Sequence, residues 1–326
     1  MQAKIITAGR SDIGRLRKSN QDQFAIADLH KTMAVAASSM PISGQARLLG
    51  SACGRLLLVA DGMGGHRAGS RASLMALDLV INQLVNRVHW PMSADTEGEK
   101  RFIAELKQLV EATHRVIFLE SQTHADYYGM GTTLTMCYIA WPAMYLVHVG
   151  DSRCYLIRDK VPQQLTLDHT VSAQFTQNVE FASQNLETSP WRHVLYNALG
   201  AGSETVVVDV QKVDLKLGDH IALCTDGFYQ HISARELADE LAANQDLDEA
   251  CRRMVDLANT RGGNDNITVV VARCDWAPDT RKMKTVVASE TPLEHLLGEL
   301  KDFEPVLAEA SSGADGESSG EDTVDF

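Results

Sequence analysis

The chain has 326 residues, 44% hydrophobic and 22% charged, which is the composition of a folded protein with a sizeable apolar core. Its formal net charge of −13 is uneven: from Asp302 to Phe326 there are eight acids and no lysine or arginine, while the remainder holds 35 acids against 30 bases. The acidity is therefore largely a property of the tail, and the folded part lacks the basic face that nucleic acid requires.

The opening stretch MQAKIITAGRSDIG lacks the apolar core of a secretion signal. Next comes SDIGRLRKSNQDQF, in which Arg17, Gln21 and Asp22 stand at the entrance to a strand, QFAIAD at 23–28. Residues 31–54 read as an insertion between that strand and RLLLVAD at 55–61. After Asp61 the chain runs GMGGH and then enters two long helical segments. In 66–88, Leu74, Leu77, Ile81, Leu84 and Val88 share one face; in 99–122, Phe102, Leu106, Leu109, Thr113 and Val116 do the same. Strands follow at 133–140, 144–151 and 153–159. The first two are separated at Pro142, so the apolar stretch 134–150 is too interrupted to span a bilayer. After an irregular segment at 171–193 come a strand at 220–226, helices at 234–243 and 247–260, and a last strand at 266–274. Residues 277–326 read as an extension: a short helix at 291–300, opened by Thr291, Pro292 and Glu294, and then an acidic disordered tail.

Adjacent strands with helix pairs between them differ from strict βαβ alternation. The pattern predicts an α+β fold of four layers, α-β-β-α, with two antiparallel sheets packed face to face and helix pairs outside. The six cysteines are far apart and form no CxxC pair, so they read as buried thiols in a reducing compartment, and the protein as cytoplasmic.

Four times an apolar run meets a carboxylate beside glycine: Asp61-Gly62, Gly150-Asp151, Asp226-Gly227 and Gly263-Asn264-Asp265. Each alone is a plausible turn. Brought together, the carboxylates would have to take up protons or bind cations. Oxygen-only donors favour hard ions, Mg²⁺ or Mn²⁺. Two such ions roughly 3.5–4 Å apart can clamp a phosphoryl group, and an arginine nearby can grip its oxygens.

Arg17 supplies that arginine. With it, the ordered segments SDIGRLRKSNQD, VADGMGGHRAG, GMGTTLT, HVGDSR, LTLDHT, LCTDGF and GGNDNITVVV resemble the type 2C family of metal-dependent serine/threonine protein phosphatases in its bacterial form. The resemblance runs from about Ser11 to Cys274 and implies a phosphatase catalytic domain over 1–276. It implies two or three Mn²⁺ or Mg²⁺ ions, and a metal-bridging hydroxide that hydrolyses phosphoserine and phosphothreonine on proteins. By the same resemblance Asp61 bridges two metals, with the Gly62 carbonyl reaching one. Asp226 and Asp265 hold the first, and Asp151 serves a third, weaker site. Asp22 accepts from metal-bound water, and Arg17 binds the phosphate. Ser152 and Arg153 brace the Asp151 turn.

Two positions depart from the family pattern. Gln21 replaces a glutamate found in some members, which predicts looser binding of the second metal, to be tightened by Gln21→Glu. Met63 stands where some relatives carry a histidine proposed as general acid, and a thioether cannot donate a proton. His66 is the tempting substitute, although local bonding at the helix start is the favoured reading; His169 reads as structural. The segment 171–193 occupies the place of a mobile flap.

The implied partners are phosphoprotein substrates, with a serine/threonine kinase or its targets among them, and no nucleic acid or membrane; the chain is expected to be a monomer. The competing reading is a catalytically weak or silent relative that binds phosphoproteins as a regulator. A small-molecule phosphohydrolase would share the chemistry. Kinase and P-loop readings fail, since there is no GxxxxGK[ST], HRD or DFG.

Overall fold

The computed structural model describes residues 3–34, 47–87, 96–177 and 194–276. The chain divides into a unit over Met1–Arg281, to which all of these belong, and a second over Lys282–Phe326. Two antiparallel sheets carry the first unit. One has the order β1 (Ala3–Asp12), β11 (Ile267–Trp276), β10 (His220–Cys224), β7 (Arg153–Arg158) and β8 (Val161–Gln164). The other runs β2 (Asp22–Ala34), β3 (Arg47–Met63), β5 (Leu134–Ala140), β6 (Ala143–Val149) and β9 (Asp209–Asp214), with the two-residue β4 (Gly131–Thr132) against the end of β3.

The period of two in a strand explains why the central strands are apolar at every position. Leu57, Val59, Cys137, Ile139, Met144 and Leu146 of one sheet pack against Cys154, Leu156, Ile221, Leu223, Val270 and Ala272 of the other. The alternate residues Leu56, Leu58, Ala60, Met136 and Val147 face outward, into a second core closed by α1 (His66–Arg87) and α2 (Thr96–Thr123). On the far side Tyr155, Ile157, Ala222, Val269 and Val271 meet α5 (Ala234–Ala243) and α6 (Leu247–Thr260). Each central strand thus serves two cores, and the four layers α-β-β-α are present. Shorter helices α3 (Val171–Gln177) and α4 (Asp226–Tyr229) follow β8 and β10. Helix α5 is opened by a capping box, with Ser233 accepting from the Glu236 amide and Glu236 accepting from the Ser233 amide.

Several expectations need correction. In helix α1 Leu77 and Leu84 are buried and Ile81 packs against the core as expected, but Leu74 is 53% exposed. Ala68, Ala72, Ala76 and Val80 fill the rest of the buried face, and a reading that weights large side chains overlooks them. In α2 the buried position is Ile117, and Val116 is 42% exposed. The stretch 31–54 is in part a continuation of its flanking strands: Ala34 pairs with Arg47 and Thr32 with Leu49, after register shifts around His30. Strands β1, β8 and β9 were not anticipated. The expected helix at 291–300, the acidic tail, residues 178–193 of the expected flap and Val88 lie outside the described residues. Among the described residues no helix is long and apolar enough to cross a membrane.

Candidate active site

At one end of the sandwich both sheets deliver acids to one place. Asp22 opens β2 and stands opposite Asp61 in the β2–β3 register. From the other sheet come Asp226, just past β10, and Asp265, just before β11; Asp151 lies in the turn between β6 and β7. The carboxyl of Asp61 feels the charge of Asp22, Asp226, Asp151 and Asp265 together. Side chains separated by up to 243 positions in the chain therefore share one electrostatic environment.

Asp22 lies at the floor and ties the sheets together. Its Oδ2 accepts from the hydroxyls of Thr225 (2.8 Å) and Thr268 (2.7 Å), while its Oδ1 is buried with no partner. Burial pushes its carboxyl up to about 7 despite those two donors, and the charges of Asp226 and Asp265 add to the shift. Asp61 is held by its backbone. Its amide donates to Thr133 Oγ1, and its carbonyl accepts from the Thr133 amide and the Thr132 hydroxyl, each at 2.9 Å. By surface area the residue is only partly buried. Burial first, and then Asp22, hold that carboxyl well above the usual range. Asp151 is buried, and burial followed by Asp226 pushes it up to about 8.

The glycines after Asp61 permit backbone-to-backbone packing. A Cβ on Gly62 would strike the carbonyl of Gly69, at the start of α1, and crowd that of Gln21. Gln21 has a task of its own: its amide Nε2 donates to the Gly65 carbonyl at 2.6 Å, which latches the glycine loop to the start of β2. A carboxylate in the same place would face a carbonyl oxygen. Met63 rests against Gly131. The His66 side chain lies outside the described residues. His169 is buried behind the Asp151 turn, where its Nδ1 accepts from the Gly150 amide (3.1 Å) and its Nε2 meets Asp209 (3.1 Å).

Arg17 reaches into the acid cluster and donates through Nη2 to Asp265 Oδ2 at 2.6 Å. The loop carrying it is fixed by groups that sequence reasoning missed. Asn266 Nδ2 donates to the carbonyls of Ile13 (2.9 Å) and Ser19 (3.0 Å), and its Oδ1 accepts from the Gln21 amide (2.8 Å). Gly14 adopts φ +79° against the Asp265 carbonyl, where no side chain would fit. The repeated asparagines of GGNDN were the available signal. Thr225 and Thr268 gave little, since a buried threonine in a strand is ordinary. Asp168 was also passed over. It accepts from Arg153 Nε (3.1 Å) and Nη2 (2.7 Å), and the guanidinium stacks 3.7 Å over the ring of Tyr229, one turn after Asp226. Ser152 Oγ bonds Thr133 Oγ1 at 2.7 Å, joining the Asp151 turn to the Asp61 backbone.

Among the described residues no three His, Cys, Asp or Glu side chains form a preformed metal-holding group. A cation would have to draw the carboxylates inward and compete with Arg17 for Asp265. The donor chemistry nonetheless fits a hard divalent ion. The donors are all oxygen, one buried carboxylate oxygen of Asp22 has no partner, and three carboxyls are pushed toward the protonated form by burial and mutual repulsion.

The family described as protein phosphatase 2C matches residues 47–271. The serine/threonine phosphatase stp of Listeria monocytogenes is 30% identical over 266 residues, covering 82% of this chain and 94% of that one. A solved serine/threonine phosphatase of S. agalactiae superposes with a TM-score of 0.66 at 27% identity, over 83% of this chain and 99% of the other. The catalytic domain of the phosphatase PstP, solved with two manganese ions, superposes with a TM-score of 0.63 at 29% identity, over 84% and 100%. A four-layer sandwich with acids gathered at one end of its two sheets, matched over most of its length to these proteins, belongs to the protein phosphatase 2C family.

Proposed function

We propose that this chain is a metal-dependent phosphatase that hydrolyses phosphoserine and phosphothreonine on proteins, with Asp61, the Gly62 carbonyl, Asp226 and Asp265 holding two ions and Asp151 a third, weaker one. The supporting observation is the convergence of five carboxylates from both sheets into one field of repulsion. Divalent ions bound there supply the positive charge that activates water and offsets charge developing on a phosphoryl group. Manganese in the related PstP structure agrees with the donor set.

The chain's own groups then have distinct tasks. Arg17 is 47% exposed on its side chain, at the rim, and presents its guanidinium fork to phosphate oxygens once it turns from Asp265. Asp22, whose buried Oδ1 has no protein partner, accepts a hydrogen bond from water at the floor of the site. Arg153, Asp168 and Ser152 fix the Asp151 turn. The substrates are phosphoproteins, the products of a serine/threonine kinase, and the chain acts as a cytoplasmic monomer.

A silent phosphoprotein-binding relative would be favoured by a broken acid set, whereas Asp22, Asp61, Asp151, Asp226 and Asp265 are all present. Phosphate release from phosphothreonine and phosphotyrosine peptides, with Mn²⁺ or with chelator, separates the readings. Wild type should release phosphate from phosphothreonine only with metal, and Asp226→Asn should lose roughly 10²-fold or more. Equal rates with chelator, or an undiminished Asp226→Asn, would end the proposal.

A further inference from the structure

The phosphate arginine belongs to a run of four exposed residues, Arg15, Leu16, Arg17 and Lys18, at the mouth of the acid cluster. Leu16 is 69% exposed, and Ile13 beside it is 38% exposed. Exposed cations are ordinarily a solvated face, but three observations set this run apart.

The first is rigidity. The Arg15 amide donates to the Gly263 carbonyl at 2.7 Å and the Gly14 amide to Asp12 Oδ1 at 2.8 Å, while Asn266 clamps Ile13 and Ser19 from beneath. The side chains therefore project from a fixed backbone, and little further ordering is needed to bind through them. The second is availability. Among the described residues the Arg15 guanidinium and the Lys18 ammonium have no hydrogen-bonded or ion-paired partner, whereas Arg153, Arg158 and Arg261 are paired with Asp168, Asp219 and Glu236. The acids nearest the loop are already engaged. Asp12 accepts from the Gly14 amide and Asn259, and Asp265 from Arg17 and the Asn266 amide. The third is position. Arg17 stands between the two free cations, so residues one to three places from a phosphoresidue gripped by Arg17 lie within reach of long side chains, since an extended segment advances about 3.4 Å per residue.

We infer that Arg15 and Lys18 form a recognition rim that selects phosphorylated segments with acidic residues beside the phosphoserine or phosphothreonine, with exposed Leu16 taking an apolar neighbour. The inference rests on the reading of Arg17 as the phosphate contact. Charge complementarity of this kind acts on encounter and on specificity, and it weakens with salt.

The test uses two fluorescent phosphothreonine-mimic peptides bearing a phosphonate that resists hydrolysis, one flanked by Glu and one by Lys. Both are titrated by anisotropy against the Mn²⁺-loaded wild type and the Arg15→Gln/Lys18→Gln variant. Wild type should bind the acidic peptide about threefold to tenfold more tightly, from two exposed charge pairs. The double variant should bring the two within about twofold, and high ionic strength should do the same to wild type. Hydrolysis of p-nitrophenyl phosphate, which has no flanking residues, should proceed alike in both proteins. Equal affinities in wild type, or a preference retained by the double variant, overturns the rim. Absence of p-nitrophenyl phosphate hydrolysis overturns the proposed function instead, while the anisotropy comparison still decides the rim.

Discussion

Chelated protein should lose stability as the pH rises from 6.5 to 8. Burial and mutual repulsion carry Asp22 from 3.8 to about 7 and Asp151 from 3.8 to about 8, and they raise Asp61 well above its ordinary value. The folded chain then binds more protons than the unfolded one. The associated stabilisation is complete below 3.8 and is lost as pH climbs through the folded values. A difference of one proton is worth about 1.4 kcal/mol per pH unit; Asp22 and Asp151 together lose about 2 kcal/mol over this window, and the raised Asp61 adds to that loss. His148, held down to about 4 by burial, acts with the opposite sign, as do the lowered His114 and His220; above 6.5 each still adds at most about 0.4 kcal/mol, which offsets only part of the loss. Urea unfolding in chelator at several pH values between these limits measures the slope. Asp151→Asn should flatten it, by removing one of the raised carboxyls, and Mn²⁺ should reverse it, because the cation takes the place of the protons. A stability in chelator that is flat or rising with pH would refute the repulsion on which the site is built.

Gln21→Glu should lower stability by about 1–2 kcal/mol, because it replaces a donor with a carboxylate against the Gly65 carbonyl; with the Gln21 amide engaged there, the tighter metal binding expected from the sequence is revised to an Mn²⁺ affinity no tighter than wild type by calorimetry. Replacing buried Leu84 by alanine should cost about 2–5 kcal/mol in urea unfolding, whereas Leu74→Ala, on the exposed side of the same helix, should stay within about 0.5 kcal/mol. Asp168→Asn removes the charge facing the largely buried Arg153 and should destabilise by about 2–4 kcal/mol; it should weaken the Asp151 ion more than the other two in metal titrations.

The central strands were legible because each is buried on both faces, so RLLLVAD and NITVVVARC read as continuous apolar runs. The missed strands β1, β8 and β9 all lie at sheet edges. There one row of backbone groups is unpaired and polar residues are tolerated, as in VPQQ and DVQKVD, and the alternation that marks a strand is lost. Helices α5 and α6 were legible as segments, whereas on α1 the large residues Leu77 and Leu84 were found but the buried alanines were overlooked, because close packing rather than side-chain size selects them. At the site, the aspartates announced themselves as strand ends followed by glycine. Their supports did not. Thr225 and Thr268 bind a partner more than 200 positions away, which nothing local in the sequence reports, and Asp168 meets Arg153 only once the loop between them folds back.

Manganese binding to wild type and to Asp61→Asn, followed by electron paramagnetic resonance at neutral pH, tests the convergence of these acids on divalent ions most directly. Wild type should bind at least two ions per chain, and Asp61→Asn should lose them while circular dichroism shows the same secondary structure. An Asp61→Asn protein that binds as many ions as wild type, and as tightly, would mean that the cluster is no metal cage.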